Sequence, residues 1–259
     1  MRLNRVWRLI DSGVVDGPTS QAIDEAIREA RLGEMVPNTL HLYRRTPPTV
    51  SIGRYQRIED VVDLEYCREQ GIDIVRRTSG GGTIYTDSNC VEYAVVVDQG
   101  YPEIPMDLEG SFKVICTGVI TALKKLGIDA SYKPVNDVQV RGKKISGSAQ
   151  RRRRILLQHG TLLVDADFES MSKALRGGDE GEAKLMERLT TVKREARRVI
   201  TAEEASEALK MGFEESLSMK LVKGKLTPWE DERVKELTKK YRSRSWIRKA
   251  KLVLKNVPR

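Results

Sequence analysis

Cysteine is scarce in this chain of 259 residues, histidine is scarcer, and long apolar runs are missing. Cys67, Cys90 and Cys116 are odd in number and scattered. That excludes a disulfide framework or a zinc cage and points to reduced thiols in a cytoplasmic setting. With His41 and His159 as the only two histidines, a histidine-built metal cluster is excluded as well. The longest apolar run covers about five residues, Tyr93 to Val97, whereas a membrane-spanning helix needs ~20. The opening M-R-L-N-R-V-W-R-L-I alternates basic and apolar residues and lacks the continuous apolar stretch of a signal peptide. Aromatic residues make up 5% of the chain, and none forms a stacking platform beside the basic run Arg151 to Arg154. A nucleic-acid role is therefore not expected despite a net charge of +9. Neither G-x-x-x-x-G-K-[ST] nor G-x-G-x-x-G before a helix occurs, which removes the common phosphate-loop and dinucleotide fingerprints.

What is present gathers around two stretches. The first, Arg76 to Asp87, reads R-R-T-S-G-G-G-T-I-Y-T-D. Three consecutive glycines are costly to order, so Gly80, Gly81 and Gly82 imply backbone held close to a partner or at positive φ. Bared N–H groups, with Arg76, Arg77, Thr78 and Ser79 beside them, suit an anionic partner. The second stretch, Asn136 to Gly147, reads N-D-V-Q-V-R-G-K-K-I-S-G. Alternation along a strand sends Lys143 and Lys144 to opposite sides, so one of them can meet the glycine turn as a compact cation.

Residues 3 to 10 alternate as a strand, and a polar loop from Asp11 to Pro18 leads into a helix capped by Thr19 or Ser20, with Ala22, Ile23, Ala26, Ile27 and Ala30 inward. Strands are expected at Leu40 to Arg44, Val50 to Arg54, Ile72 to Val75 and Val91 to Val97, and a helix from Val61 to Gln70 closed by Gly71. The glycines thus fall on a loop between strands. The strongest helical stripe is Phe112, Ile115, Cys116, Val119, Leu123 and Leu126, closed by Gly127. Short strands at Asn136 to Val140 and Lys144 to Ser148 flank a turn at Arg141-Gly142, and another strand spans Ile155 to Val164. Capping boxes are expected at Thr201 with Glu204 and at Thr227 with Glu230. Without repeats or low-complexity linkers, one principal domain is expected, with a core at about 1–180 and a helical extension at about 181–259. His41 and the three cysteines read as structural, and the run Arg151 to Arg154 as a solvated loop or a docking patch for an acidic partner.

These two stretches, with T-P-P-T-V-S-I-G-R-Y-Q at 46–56, Q-H-G-T-L-L-V-D at 158–165, A-L-K-M-G-F-E-E-S-L, L-T-P-W-E and K-Y-R-S-R-S-W downstream, resemble the lipoate-protein ligase A family of the biotin/lipoate ligase superfamily. The resemblance spans nearly the whole chain. It implies an α+β fold in which a mixed or antiparallel sheet is flanked by helices. It also implies ATP-dependent activation of lipoic acid to an acyl-adenylate, then ligation to a lysine of an acidic lipoyl carrier domain. On that resemblance Arg77, Ser79 and Gly80 to Gly82 line the adenylate, and Thr83, Ile84 and Tyr85 lie near the nucleotide. Asn136, Asp137 and the catalytic Lys144 surround the reacting phosphate and carboxylate. His159, Gly160 and Thr161 wall the acyl site, and Asp137 is the candidate ligand for Mg²⁺.

Three departures stand out. Thr86-Asp87 replaces a His-Asp pair frequent in the family, and Gln158-His159 replaces a histidine pair. The chain also ends at Arg259, where single-chain ligases continue into an accessory domain. The last resembles bipartite archaeal ligases, which implies a separate small accessory subunit docking near Arg242 to Arg259. The alternative within the same fold is an octanoyl or lipoyl transferase that takes its acyl group from a carrier protein. Such enzymes place a nucleophilic cysteine in a loop that this chain fills otherwise, and Cys116 is a poor substitute, so the ligase is the expected function.

Overall fold

The computed structural model describes residues 5–176 and 181–249. Strand β1 (Val6–Val15) continues through the expected polar loop, with a register shift between Asp11 and Val14. Helix α1 (Gly17–Leu32) begins earlier than expected because Asp16, not Thr19 or Ser20, is its cap. The Asp16 carboxylate accepts from Thr19 N at 2.8 Å, and Pro18 fixes the first turn. Strands β2 (Thr39–Arg45) and β3 (Thr49–Ile52) follow. The single helix expected over Val61 to Gln70 is instead two, α2 (Ile58–Val61) and α3 (Leu64–Glu69). Val62 between them is extended, and Asp63 caps the second through Tyr66 N.

Strands β4 (Asp73–Arg76) and β5 (Ile84–Thr86) bracket the glycine loop, and β6 (Cys90–Asp98) is buried along nearly its whole length. Helix α4 (Leu108–Lys125) carries the predicted stripe. Strands β7 (Ser131–Lys133), β8 (Asp137–Val140), β9 (Lys143–Arg151) and β10 (Ile155–Leu163) complete the central run. Helices α5 (Phe168–Ala174), α6 (Gly181–Arg188), α7 (Val192–Glu195) and α8 (Ala202–Ser216) precede strand β11 (Lys220–Lys223). Helices α9 (Pro228–Arg242) and α10 (Arg244–Ile247) close the described part of the chain.

The principal sheet has eight strands in the order β11-β1-β2-β6-β10-β9-β8-β7, and β4-β3-β5 form a second sheet. In the large sheet β1 pairs in parallel with β11 and β2, and the remaining pairs are antiparallel. The fold is α+β, as expected. One face of the large sheet buries Trp7, Leu42, Tyr93 and Val95 with Ile115, Val119, Leu123, Leu209 and Phe213 of α4 and α8. The other carries Ile10, Ala94, Val96 and Leu157 against Ile23 and Ile27 of α1, and α9 packs on α1 through Leu237 and Tyr241. Burial of such side chains contributes about 1.5–3 kcal/mol each, so these two layers hold the strands that carry the site.

The capping box at Thr227 and Glu230 is complete. Thr201 caps α8 by accepting from Glu204 N at 3.1 Å, but Glu204 turns its carboxylate to Arg198. Three arginines of the run have partners: Arg151 pairs with Glu25, Arg152 donates to Asp107 O at 2.8 Å, and Arg154, exposed like Arg153, pairs with Glu34. Of the expected docking segment Arg242 to Arg259, residues 250–259 lie outside the described residues. No described helix is long and apolar enough to cross a membrane.

Candidate active site

The glycine loop hangs between the two sheets and is clamped by its own arginine. Arg77 is buried, and its Nη1 donates to Ser51 O at 2.6 Å while Nη2 donates to Gly80 O at 2.9 Å and Gly82 O at 2.8 Å. Burial, with Arg45 nearby, lowers the guanidinium to about 10, still charged at neutral pH. Its fork is spent on loop carbonyls, so it shapes the turn more than it offers free donors. Gly81 sits at φ +90, where a side chain is strained, and this is the physical need for glycine at the turn. Arg76 plays a different part: its Nη1 reaches Gly53 O and Gln56 O, and its Nε reaches Ile247 O, away from the cleft.

Across the cleft the hairpin β8–β9 turns at Arg141 and Gly142, both at positive φ, and delivers the lysine pair in opposite directions. Lys143 Nζ donates to Met186 O at 2.9 Å, next to α6. Lys144 Nζ lies 2.7 Å from Asp137 Oδ1 and lines the cleft, the side of the hairpin that the alternation argument required. Asn136 holds the hairpin to β9: its amide donates to Ser148 O, and its carbonyl accepts from Ser148 N. Asp137 is engaged by Lys144. Among the described residues no group of three or more His, Cys, Asp or Glu side chains could cage a metal ion. Any cation at Asp137 would thus depend on oxygens from a substrate.

The floor of the cleft is β10. His159 Nε2 accepts from Ser79 Oγ at 2.6 Å, and its Nδ1 faces Asp24 Oδ2 at 3.4 Å. Asp24 Oδ1 also meets His41 Nδ1 at 2.8 Å, and His41 Nε2 accepts from Ser12 Oγ at 2.9 Å. Burial alone would raise the Asp24 carboxyl, but hydrogen bonds from His159 and His41 outweigh it and hold it at about 2. An ionised carboxylate only accepts, so both rings present Nδ1–H to it. Burial pushes His159 below the usual histidine value against the pull of Asp24, so it is a neutral acceptor with a fixed tautomer. His41 is therefore structural, as expected, but buried in this network.

A cleft of about 110 Å³ is lined by Arg77, Gly81, Gly82, Thr83, Ile84, Asn136, Lys144, His159, Gly160 and Thr161, all predicted. Ser79 and Gly80 are not among its lining residues. Tyr85 and Asp137 line an adjoining groove of about 480 Å³, which shares Thr83, Ile84, Lys144 and Thr161 with the cleft. Tyr43, Arg45, Glu92 and Gln21 also line the cleft and were not anticipated. Arg45 and Glu92 form a buried ion pair at 2.9 Å, and Thr86 accepts from Arg45 at 3.2 Å. Burial raises the Glu92 carboxyl to about 7, with Arg45 opposing. Thr86, the residue of the Thr86-Asp87 departure, is thus absorbed into this pair. The signal for the missed residues was a charge inside an apolar pattern: Glu92 in C-V-E-Y-A-V-V-V, and Asp24 on the inward stripe of α1.

Glycine turn, cation and histidine around one cleft, on a mixed sheet flanked by helices, define an enzyme of the class that attaches lipoate- or octanoate-type acyl groups. The chain belongs to the family described as the lipoyl protein ligase A/B catalytic domain, whose model matches residues 16–214. It is 35% identical to an octanoyltransferase LipM of Kyrpidia tusciae, over 93% of this chain and 98% of that protein. Among solved structures it is similar to a bipartite lipoate protein ligase of Thermoplasma acidophilum, studied with its E2 lipoyl domain. That likeness has a TM-score of 0.83 at 29% identity and covers 95% of this chain and 98% of the other. A lipoate-protein ligase A bound with ATP gives a TM-score of 0.82 at 28% identity, over 94% and 98%.

The octanoyltransferase relative, matched at nearly full length, overturns the expected ATP-dependent ligase and favours the transferase alternative. The physical reason is that a glycine turn facing a cation suits any activated acyl group. The motifs leave open what activates it, and a thioester or an adenylate can serve.

Proposed function

We propose that this chain transfers an octanoyl or lipoyl group from a carrier-bound thioester to the lysine side chain of a lipoyl domain. The observation that supports a thioester donor is the nearly full-length likeness to an octanoyltransferase; for the site, Lys144 and the glycine turn face each other across the cleft that His159 floors. Attack of an amine on a thioester gathers negative charge on the acyl oxygen. An ammonium placed there in advance, held by Asp137, stabilises that charge without reorganisation, an effect commonly worth about 10²- to 10³-fold in rate. The acceptor amine, with a reference pKa of about 10.4, must lose a proton before it attacks. Net charge of +9 favours encounter with acidic carrier proteins. Thioester transfer assigns no step to ATP or Mg²⁺, and a small accessory subunit for adenylation has no task in it.

The test mixes the chain with an octanoyl-carrier thioester and a lipoyl domain and follows the mass of the lipoyl domain. Gain of one octanoyl group supports the reading. No gain from the thioester, with gain from free octanoate plus ATP, overturns it.

A further inference from the structure

Resting on the acyl-transfer reading, we propose that Trp246 of α10 is a positioning residue. Through Arg76 it fixes the turn from Gly53 to Gln56 on which the glycine loop lies, so the C-terminal helices set the loop for reaction without touching substrate.

Two sequence motifs, T-P-P-T-V-S-I-G-R-Y-Q and K-Y-R-S-R-S-W, meet at Arg76. This residue is fully buried at the end of β4, one position before the arginine that clamps the loop. It exchanges two hydrogen bonds with α10: its Nε donates to Ile247 O at 2.8 Å, and its carbonyl accepts from the indole Nε1 of Trp246 at 3.0 Å. Its Nη1 meanwhile gathers the carbonyls of Gly53, Arg54 and Gln56 at 2.9, 3.2 and 2.8 Å. One residue thus joins α10 to the turn.

The turn is the bed of the glycine loop. Arg54 N donates to Ser79 O at 2.9 Å. Gln56 Oε1 accepts from Gly53 N at 2.8 Å and from Thr83 Oγ1 at 3.1 Å. Gly53 approaches so closely that an added Cβ would fall 2.1 Å from Gly81 O. With no side chain between them to absorb it, a shift of the turn passes directly to Gly81.

Helix α10 has four residues and none is fully buried, so side-chain contacts hold it in place. The Trp246 ring stands edge-on to Tyr241 at 6.0 Å, with Lys240 Nζ at 4.3 Å and the Arg54 guanidinium at 5.7 Å from its centroid. Tyr241 donates to Glu25 of α1 at 2.8 Å, Lys240 pairs with the same carboxylate, and Arg242 reaches Asp16, the cap of α1, at 2.7 Å. The indole N–H therefore meets the Arg76 carbonyl from a fixed direction. Preorganised donors act on a developing charge only while they stay in place, so loosening this anchor lowers the fraction of molecules whose loop is ready to react.

The experiment uses the whole chain as Trp246→Phe, which removes the indole N–H and keeps an aromatic ring for Lys240 and Arg54. In transfer from octanoyl-carrier protein to a lipoyl domain, kcat per folded molecule is expected to fall about tenfold, the rate equivalent of one hydrogen bond. KM for the donor keeps its wild-type value. The amides of Arg54 and Arg77, which donate to Ser79 O and Ile52 O, exchange with deuterium faster, while those of α4 do not change. Trp229→Phe, at an exposed position of α9, serves as the control and leaves all three readings at wild type. Unchanged exchange at Arg54 and Arg77 overturns the positioning role, and so does an equal fall of kcat in Trp229→Phe. Where the wild-type chain forms no amide from the thioester, the transferase reading fails by itself, and the exchange at Arg54 and Arg77 still decides the role of Trp246.

Discussion

Ser79 Oγ lies 2.6 Å from His159 Nε2, and this hydrogen bond joins the glycine loop to the floor of the cleft. Behind His159 the ionised Asp24 collects Nδ1–H from two histidines and the hydroxyl of Tyr43 at 3.3 Å. The network is buried, so each member fixes the next, and loss of one leaves a polar group without water to replace it. Helix α1, strands β2 and β10 and the loop are thereby held in one arrangement facing Lys144.

Lys144→Ala is expected to lower acyl transfer by about 10²- to 10³-fold, the usual effect of removing one preorganised donor from a developing oxyanion. Its ion pair with Asp137 is partly exposed, and such pairs contribute about 0–1 kcal/mol, so the unfolding midpoint should hardly move. Comparing single-turnover rates with a urea titration separates the two. Unchanged transfer would remove Lys144 from the reaction.

Asp24→Asn tests the network by pH. The folded carboxyl is depressed from 3.8 to about 2, and at 1.4 kcal/mol per unit this corresponds to about 2 kcal/mol. Because the folded value is the lower one, that stability is present above pH ~4 and is lost as pH falls toward 2. The variant should be less stable than wild type at neutral pH, with the gap closing in acid. A gap independent of pH between 2 and 7 would show that the charge of Asp24 contributes nothing.

Glu92→Gln leaves Arg45 charged in a buried site without its carboxylate, but burial already raises the Glu92 carboxyl to about 7, so the loss should be smaller than the ~3–5 kcal/mol usual for breaking a fully ionised buried pair. Replacing both, as Arg45→Met with Glu92→Leu, removes the stranded charge and should cost less than the single change. Chemical denaturation of wild type and the two variants checks the order. A double variant no more stable than Glu92→Gln would contradict it.

The periodic parts of the fold were readable because they answer to local rules. The stripe of α4, the buried run of β6 and the Arg141-Gly142 turn need only neighbours in sequence. Ten of the predicted site residues line one cleft, since loop and hairpin carry their own chemistry. The start of α1 was misplaced because Asp16, ahead of Gly17-Pro18, out-competes the hydroxyls of Thr19 and Ser20 as cap. Arg45, Glu92 and Asp24 were missed because each is explained by a partner 17 to 135 residues away, visible only once β2, β6, β10 and α1 are assembled. The acyl donor was misread for a related reason: a cation and a glycine turn serve an adenylate and a thioester alike.

Gly160→Ala bears on how tightly β10 must approach its neighbours. A Cβ at Gly160 would fall against the Tyr93 ring at 2.6 Å and the Gly147 carbonyl at 2.9 Å, both on adjoining strands. Gly147 lies beneath the Lys144 side chain, so pressure on its carbonyl displaces the strand that aims the cation. Overpacking of this kind costs about 1–3 kcal/mol, and acyl transfer should fall further than the loss of folded protein accounts for. Rate measured per folded molecule, with folding followed by circular dichroism, decides the matter. A rate that tracks the folded fraction alone would mean that Lys144 tolerates movement of β9.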